Sequence, residues 1–205
     1  MTEITLLPGA LLPIVAYLLG SVSFAIVVAR AFGLPDPRSH GSGNPGATNM
    51  LRTGRKSAAV LTLLGDALKG TVAVLIANWA TDRYGLPAYT PYLAALAAFL
   101  GHLFPVFFGF KGGKGVATAI GVLLALDPRL GGLCILAWAT VFMVTRISSL
   151  SALVAAILAP FFGWWLIGDP VRTALLALLS MLILVRHHSN IRKLLSGEEA
   201  AFRRR

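Results

Sequence analysis

The chain has 205 residues, of which 57% are hydrophobic and only 13% are charged, and its mean hydropathy is +0.78. This composition excludes an ordinary water-soluble domain, and charge-free runs recur along the whole length. The formal net charge of +10 would suit nucleic-acid binding, but the positions of the basic residues indicate a membrane topology instead. We therefore predict an all-α, polytopic integral membrane protein with a single domain over residues 1–205.

The apolar runs predict about seven helices, some of them short or partial. In chain order they are Ile4–Ala29, Ser57–Ala80, Pro91–Phe108, Lys114–Leu126, Leu130–Thr145, Ile147–Gly168 and Pro170–Val185. The first run is too long for a signal-peptide core and no typical cleavage site follows a basic start, so we expect a retained helix. Residues 115–126 of the fourth run would form a helix roughly 18 Å long, which is too short to cross a hydrocarbon core of about 30 Å. Five complete spans plus two partial ones therefore fit nearly as well as seven.

The basic residues are distributed unequally between the two sides of the membrane. With seven spans, one set of loops carries fourteen of them: Arg30, Arg38, Arg52, Arg55, Lys56, Lys111, Lys114, Arg146, Arg186, Arg192, Lys193 and Arg203–Arg205. The other side carries three: Arg83, Arg129 and Arg172. Because basic loops stay in the cytoplasm, this bias predicts an outside N-terminus and a cytoplasmic C-terminus. The basic side would also attract anionic lipid headgroups.

The first cytoplasmic motif, "HGSGNPGATNMLR", begins at His40. It contains Ser42, Asn44, Thr48 and Asn49 among three glycines, and Arg52 follows them. Glycines allow backbone N–H groups to converge on an oxyanion. A solvated turn is the alternative, but this many small polar residues before an arginine favour a binding loop.

The second motif, "GFKGGKGVATAIG", spans residues 109–121. It is not a Walker A motif, because Gly115 rather than Ser or Thr follows Lys114, so nucleotide hydrolysis is not indicated. The glycine turn would still direct Lys114 and free helix N–H groups at one point, which suits a phosphate. A flexible basic anchor is the alternative, and we assign that role to Lys111.

The third motif, "RHHSNIRKLLSGEE", starts a polar helix where the last span ends. His187 and Asn190 are three residues apart and share a helix face. A juxtamembrane helix lying on lipid is the alternative, and it is our interpretation for Arg192 and for Arg203–Arg205. Glu198 and Glu199 would lie about three turns beyond His187 if the helix continued.

Other polar residues have a structural interpretation. We expect His40 and His188 to face solvent, and His102, inside an apolar segment, to be a buried hydrogen-bonded residue. Asp66 and Lys69 lie three residues apart inside a span, where charges are costly and usually paired or functional. We interpret them as an ion pair that braces the site, with a direct substrate role as the alternative.

The three motifs occur in order along nearly the whole chain, and "GSVSFA" near the end of the first helix accompanies them. Together they resemble the bacterial acyl-phosphate:glycerol-3-phosphate acyltransferases, the PlsY type of integral membrane enzyme. The resemblance implies transfer of a fatty acyl group from acyl phosphate to the sn-1 hydroxyl of glycerol 3-phosphate, which gives lysophosphatidic acid and phosphate. It implies a bacterial inner-membrane enzyme among membrane lipids, and the predicted topology of the motifs puts its site at the cytoplasmic interface. It implies no metal and no cofactor, and nothing indicates nucleic acid or an obligate protein partner.

By matching position, the resemblance also implies two sets of site residues. The residues expected to be catalytic are Ser42, Lys114, Ser149, His187 and Asn190. Those expected to bind substrate phosphate are Gly43, Asn44, Thr48, Asn49, Arg52, Gly112, Gly113 and Gly115. One departure is Lys193, where the family pattern favours arginine and a bidentate contact would become a point charge.

Four other functions compete with this interpretation. A small anion transporter would place polar groups deep in several spans, whereas most here lie at one interface. The other type of glycerol-phosphate acyltransferase needs a His with an Asp five positions on, and none of the four histidines has one. An alcohol phosphotransferase would need clustered aspartates. A non-enzymatic scaffold stays open but would not need these loops.

Overall fold

The structure is a computed structural model that describes residues 3–202, with side chains described from residue 9 onward. Within that range it contains helices and no β-strand, which confirms the all-α prediction. The α-helices are α1 Glu3–Gly20, α2 Phe24–Ala31, α3 Ala47–Leu51, α4 Lys56–Tyr84, α5 Thr90–Leu103, α6 Val116–Leu126, α7 Pro128–Thr145, α8 Ser148–Ile167, α9 Pro170–Arg186 and α10 His188–Leu195. A 3₁₀ turn at Val106–Phe108 follows α5. Arg203–Arg205, expected to lie on lipid, fall outside the described residues.

Four segments of the described chain are long and apolar enough to cross a membrane: α4, α7, α8, and α5 together with its 3₁₀ turn. Two bent pairs, α1 with α2 and α9 with α10, raise the number to six if each pair is one span. Their bends are 42° and 63°. α6 has only 11 residues and is short, as predicted. The helices support a polytopic membrane protein, while the count of seven spans and the side of each terminus stay predictions.

The predicted first helix is interrupted where it passes residues 21–23. The Ser21 hydroxyl donates to the Tyr17 carbonyl at 2.8 Å, a local bond that competes with regular helix geometry. The Lys69 ammonium of α4 donates to the Val22 carbonyl at 2.7 Å. A carbonyl released by the break thus receives a charged donor, as a backbone group in an apolar environment requires.

The chain divides into two compact units, residues 1–126 and 127–205, and the prediction of one domain stays a prediction. In the first unit α4 packs against α1, α5 and α6, and α1 packs against α5. Glycines allow these close approaches: a side chain at Gly20 would collide with the backbone of Ala98, and one at Gly121 with that of Ala67. Small residues at helix contacts are typical of membrane proteins.

In the second unit α8 packs between α7 and α9. The Ser180 hydroxyl of α9 donates to the Ala156 carbonyl of α8 at 2.6 Å. After α10, the chain returns to the turn between α7 and α8, where the Phe202 N–H donates to the Arg146 carbonyl at 2.9 Å. This return brings the C-terminal segment beside the start of α8.

Candidate active site

The first glycine-rich loop is organised around Asn49, which lies in the short helix α3 and is only 1% exposed. Its amide nitrogen donates to the carbonyls of Pro37 at 2.7 Å and His40 at 3.1 Å. Its amide oxygen accepts from the Ser42 N–H at 3.1 Å. Gly41 has a φ of +59°, and a side chain there would collide with the Asn49 amide. Asn49 therefore shapes the loop from inside.

Asp36 and Arg38 brace the start of the same loop. Their side chains form a two-armed ion pair, with Arg38 Nη2 2.7 Å from Asp36 Oδ2. The Arg38 guanidinium lowers the pKa of the Asp36 carboxyl, because it donates hydrogen bonds to the ionised form. Arg38 also reaches the Phe108 carbonyl at 3.4 Å, which links this loop to the chain segment before the second glycine-rich loop.

The second loop, residues 109–115, lies tightly against the end of α5. A side chain at Gly112 would collide with the carbonyls of His102 and Leu103, and one at Gly115 with the Phe99 ring. The Gly113 N–H donates to the His102 carbonyl at 3.2 Å. Gly115, with a φ of +87°, turns the chain into α6, and its carbonyl accepts from the Ala119 N–H at 2.7 Å. The glycines are therefore required by space as well as by conformation.

The two loops meet within the first unit. A Cβ atom at residue 113 would lie 3.2 Å from the Pro45 carbonyl oxygen of the first loop. Ser42, Gly43 and Arg52 are exposed, and Lys114 is half-buried. The structure thus brings the first two predicted motifs together, with two basic residues and several polar groups in or beside their loops.

The second unit contains the other predicted residues, and here a residue that we did not predict joins them. The Ser149 hydroxyl donates to Glu199 Oε1, and the Asn190 amide donates to the same oxygen at 2.6 Å. Ser149 lies in the first turn of α8 and Asn190 lies in α10, so Glu199 connects two elements of the unit.

The helix that would have placed Glu199 about three turns beyond His187 does not continue that far. α10 ends at Leu195, and Gly197, at a φ of +73°, reverses the chain. The N–H of Glu199 then donates to the Lys193 carbonyl at 3.1 Å. The glycine just before two acidic residues is the signal that could have indicated this turn.

His187 stands where α9 ends and is 3% exposed. Its Nδ1 lies 2.8 Å from the Ile183 carbonyl oxygen, so in the neutral ring Nδ1 carries the proton and Nε2 is the acceptor. His188 is exposed, as expected. His40 is only half-exposed, and its Nδ1 lies 3.0 Å from the Asp36 carbonyl oxygen. Among residues 3–202, no three His, Cys, Asp or Glu side chains are grouped so that they could hold a metal ion.

Sequence comparison identifies the family. The family model described as glycerol-3-phosphate acyltransferase matches residues 10–197. The chain belongs to this family. A glycerol-3-phosphate acyltransferase of Thiobacillus denitrificans is 58% identical over 195 residues, covering 95% of this chain and 98% of the relative.

Solved structures agree with this assignment. PlsY (YgiH), described as an integral membrane glycerol 3-phosphate acyltransferase, has been solved in a glycerol 3-phosphate form. That form is 40% identical, has a TM-score of 0.89 and is matched over 96% of both chains. Its lysophosphatidic acid form is 39% identical with a TM-score of 0.87, again over 96% of both chains. These matches confirm the resemblance to the PlsY type.

The position of Glu199 in this acyltransferase generates a prediction. Replacing Glu199 with Ala removes the acceptor shared by Ser149 and Asn190, so we expect glycerol 3-phosphate acylation to fall about 10-fold or more, because misplaced groups lose catalytic efficiency steeply. Glu199→Gln should lose less, since its amide oxygen can still accept. The measurement is kcat/KM for the purified variants.

Glu198→Ala is the matched control, because Glu198 is exposed and adjacent in sequence. We expect it to keep wild-type activity. Equal, small effects at the two positions would show that the Glu199 contacts do not matter for activity.

Proposed function

We propose that the protein transfers a fatty acyl group from acyl phosphate to the sn-1 hydroxyl of glycerol 3-phosphate. The hydroxyl oxygen attacks the acyl carbon and the bond from that carbon to the phosphate oxygen breaks. Phosphate leaves with the bonding electrons, and lysophosphatidic acid is the other product. This would be the first acylation of phospholipid synthesis. Family membership supports the acyltransferase activity and the acceptor, while the donor and the position of acylation are our proposal.

The observation that carries the proposal is the contact between the two glycine-rich loops. Both substrates carry a phosphate, and a basic residue lies in or beside each loop, Arg52 for the first and Lys114 for the second. Charged and polar groups fixed before the substrate binds stabilise developing charge without reorganising. A loop pair of this kind suits a reaction in which a phosphate is bound and a second phosphate leaves.

Each predicted residue has a role in the proposal. The phosphate-binding groups are Ser42, Gly43, Asn44, Thr48, Arg52, Gly112, Gly113, Lys114 and Gly115. We assign Asn49 to shaping the first loop, because its amide is engaged there on both atoms. His187 and Asn190 orient glycerol 3-phosphate, and Ser149 acts with Asn190 through Glu199.

We further propose that a phosphate oxygen of the bound substrate accepts the hydroxyl proton. Acyl phosphate is a mixed anhydride with a good leaving group, so its reaction needs positioning and charge neutralisation more than a strong base. The bond from His187 Nδ1 to the Ile183 carbonyl holds the ring in one orientation, which suits a positioning role.

We also propose that the protein is a multi-pass component of the bacterial inner membrane with about seven transmembrane helices, some of them short or partial. Its N-terminus would be outside, and its C-terminus and the active site would face the cytoplasm. The unequal distribution of basic residues between the loops supports this orientation.

The donor is tested with purified protein, glycerol 3-phosphate, and either acyl phosphate or acyl-CoA of the same chain length. With acyl phosphate we expect 1-acylglycerol 3-phosphate and inorganic phosphate in equal amounts. With acyl-CoA we expect no product above the protein-free background. Comparable rates with acyl-CoA, or a 2-acyl product, would contradict the proposal.

The role of His187 is tested by the pH dependence of kcat/KM in the wild type and in His187→Gln. If His187 positions the substrate, His187→Gln should raise KM for glycerol 3-phosphate and leave kcat within about 10-fold of the wild type. Loss of a general base would instead lower kcat by about 10²–10⁴-fold. His188→Gln is the control. An ascending limb of imidazole type that vanishes in His187→Gln, with KM unchanged, would make His187 the base and refute the substrate-assisted step.

A further inference from the structure

A buried ion pair lies behind the second glycine-rich loop, in the first unit. Asp66 and Lys69 are one turn apart on α4, with Lys69 Nζ 2.9 Å from Asp66 Oδ1 and both side chains 3% exposed. Charged groups inside an apolar segment are costly, so they are paired or serve a function. Lys69 also donates to the Val22 carbonyl at the break between α1 and α2, so the pair joins α4 to a second element.

His102 connects this ion pair to the loop. Its Nδ1 lies 3.6 Å from Asp66 Oδ1, an electrostatic contact rather than a hydrogen bond at that length. The opposite edge of the ring lies against Gly113: a side chain at that position would collide with His102 Nε2. The His102 carbonyl meanwhile accepts from the Gly113 N–H. One residue therefore touches the buried carboxylate on one side and the loop backbone on the other.

The end of the loop that leads into α6 also contacts Asp66 of α4. Thr118, in the first turn of α6, donates from its hydroxyl to the Asp66 carbonyl at 2.8 Å. The turn from Gly112 to Gly115 is thus flanked by two contacts with Asp66, one through His102 before it and one through Thr118 after it. Lys114 lies between them in the chain.

We propose that Asp66, Lys69 and His102 form a positioning cluster that holds the glycine turn, and with it Lys114, in the place where it neutralises substrate phosphate. The three residues act through Lys114, because the contacts described above join them to one another, to the Val22 carbonyl and to the two ends of the turn. The inference rests on the phosphate-binding role of Lys114 that we proposed above.

A double-mutant cycle tests this inference. We expect His102→Ala to lower kcat/KM for glycerol 3-phosphate by roughly 10–100-fold, because small displacements of a charged group weaken catalysis strongly. If His102 acts through Lys114, His102→Ala in a Lys114→Ala background should cost less than about 2-fold, since coupled sites are not additive. The exposed His188, changed to Ala, is the matched control and should stay at wild-type activity. Losses that multiply in the double variant would overturn the inference.

A second test enlarges Gly113 and shortens His102, the two residues in contact. Gly113 does not have a left-handed φ, so Gly113→Ala should impair activity by crowding the His102 ring rather than by straining the backbone. Removing that ring makes room, so Gly113→Ala with His102→Ala should be at least about 3-fold more active than Gly113→Ala alone, as expected for residues that share a contact. A combined variant less active than both single variants would overturn the inference. If His102→Ala does not fold, His102→Asn serves in both tests.

Binding of glycerol 3-phosphate to each purified variant, measured by calorimetry without a donor, separates this inference from the proposed function. If acyl phosphate fails as donor while His102→Ala still weakens glycerol 3-phosphate binding at a wild-type melting temperature, the proposed donor is wrong and the cluster stands. A lower melting temperature with unchanged binding and unchanged KM would reduce the cluster to a structural role and overturn the inference.

Discussion

The site depends on a constraint of space: there is no room for a side chain where the turn from Gly112 to Gly115 lies against the end of α5. Carbonyl oxygens and ring atoms of α5 occupy the positions that Cβ atoms would take. This contact fixes the loop backbone, and the loop backbone determines the position from which the Lys114 side chain extends. The same turn lies beside Pro45 of the first loop, so this close approach helps to align the two glycine-rich loops of the first unit.

Besides this close packing, the first unit depends on the pairing of charged residues inside its apolar helices. Asp66 and Lys69 would each be costly alone, and together they form a short ion pair. The Lys69 ammonium also donates to the Val22 carbonyl, which the break after α1 leaves without a helical partner. The helix break, the buried ion pair and the glycine turn are therefore connected through α4. The first unit combines this scaffold with exposed residues, Ser42, Gly43 and Arg52, to which we assign phosphate binding in the proposed function.

Much of this arrangement could be predicted from the sequence, because apolar runs and motif composition are local signals. The helical class, the short α6, the pairing of Asp66 with Lys69 and the family itself are all confirmed. The break at residues 21–23 was not predictable from its apolar run, because a donor from α4 satisfies the released carbonyl. The internal role of Asn49 and the return of Glu199 to Ser149 depend on contacts with distant segments. Contacts between distant segments leave no periodic or compositional pattern that can be recognised in a single sequence.

The most direct test of the central claim is the activity of Gly112→Ala. Gly112 does not have a left-handed φ, so alanine is allowed by the backbone, but its Cβ would collide with two carbonyls of α5. Gly132→Ala is the control, since nothing lies within 4 Å of a Cβ at that position in α7. We expect kcat/KM for glycerol 3-phosphate acylation to fall about 100-fold in Gly112→Ala and to stay at the wild-type value in the control. Wild-type activity in Gly112→Ala would contradict the claim that this close approach sets the site.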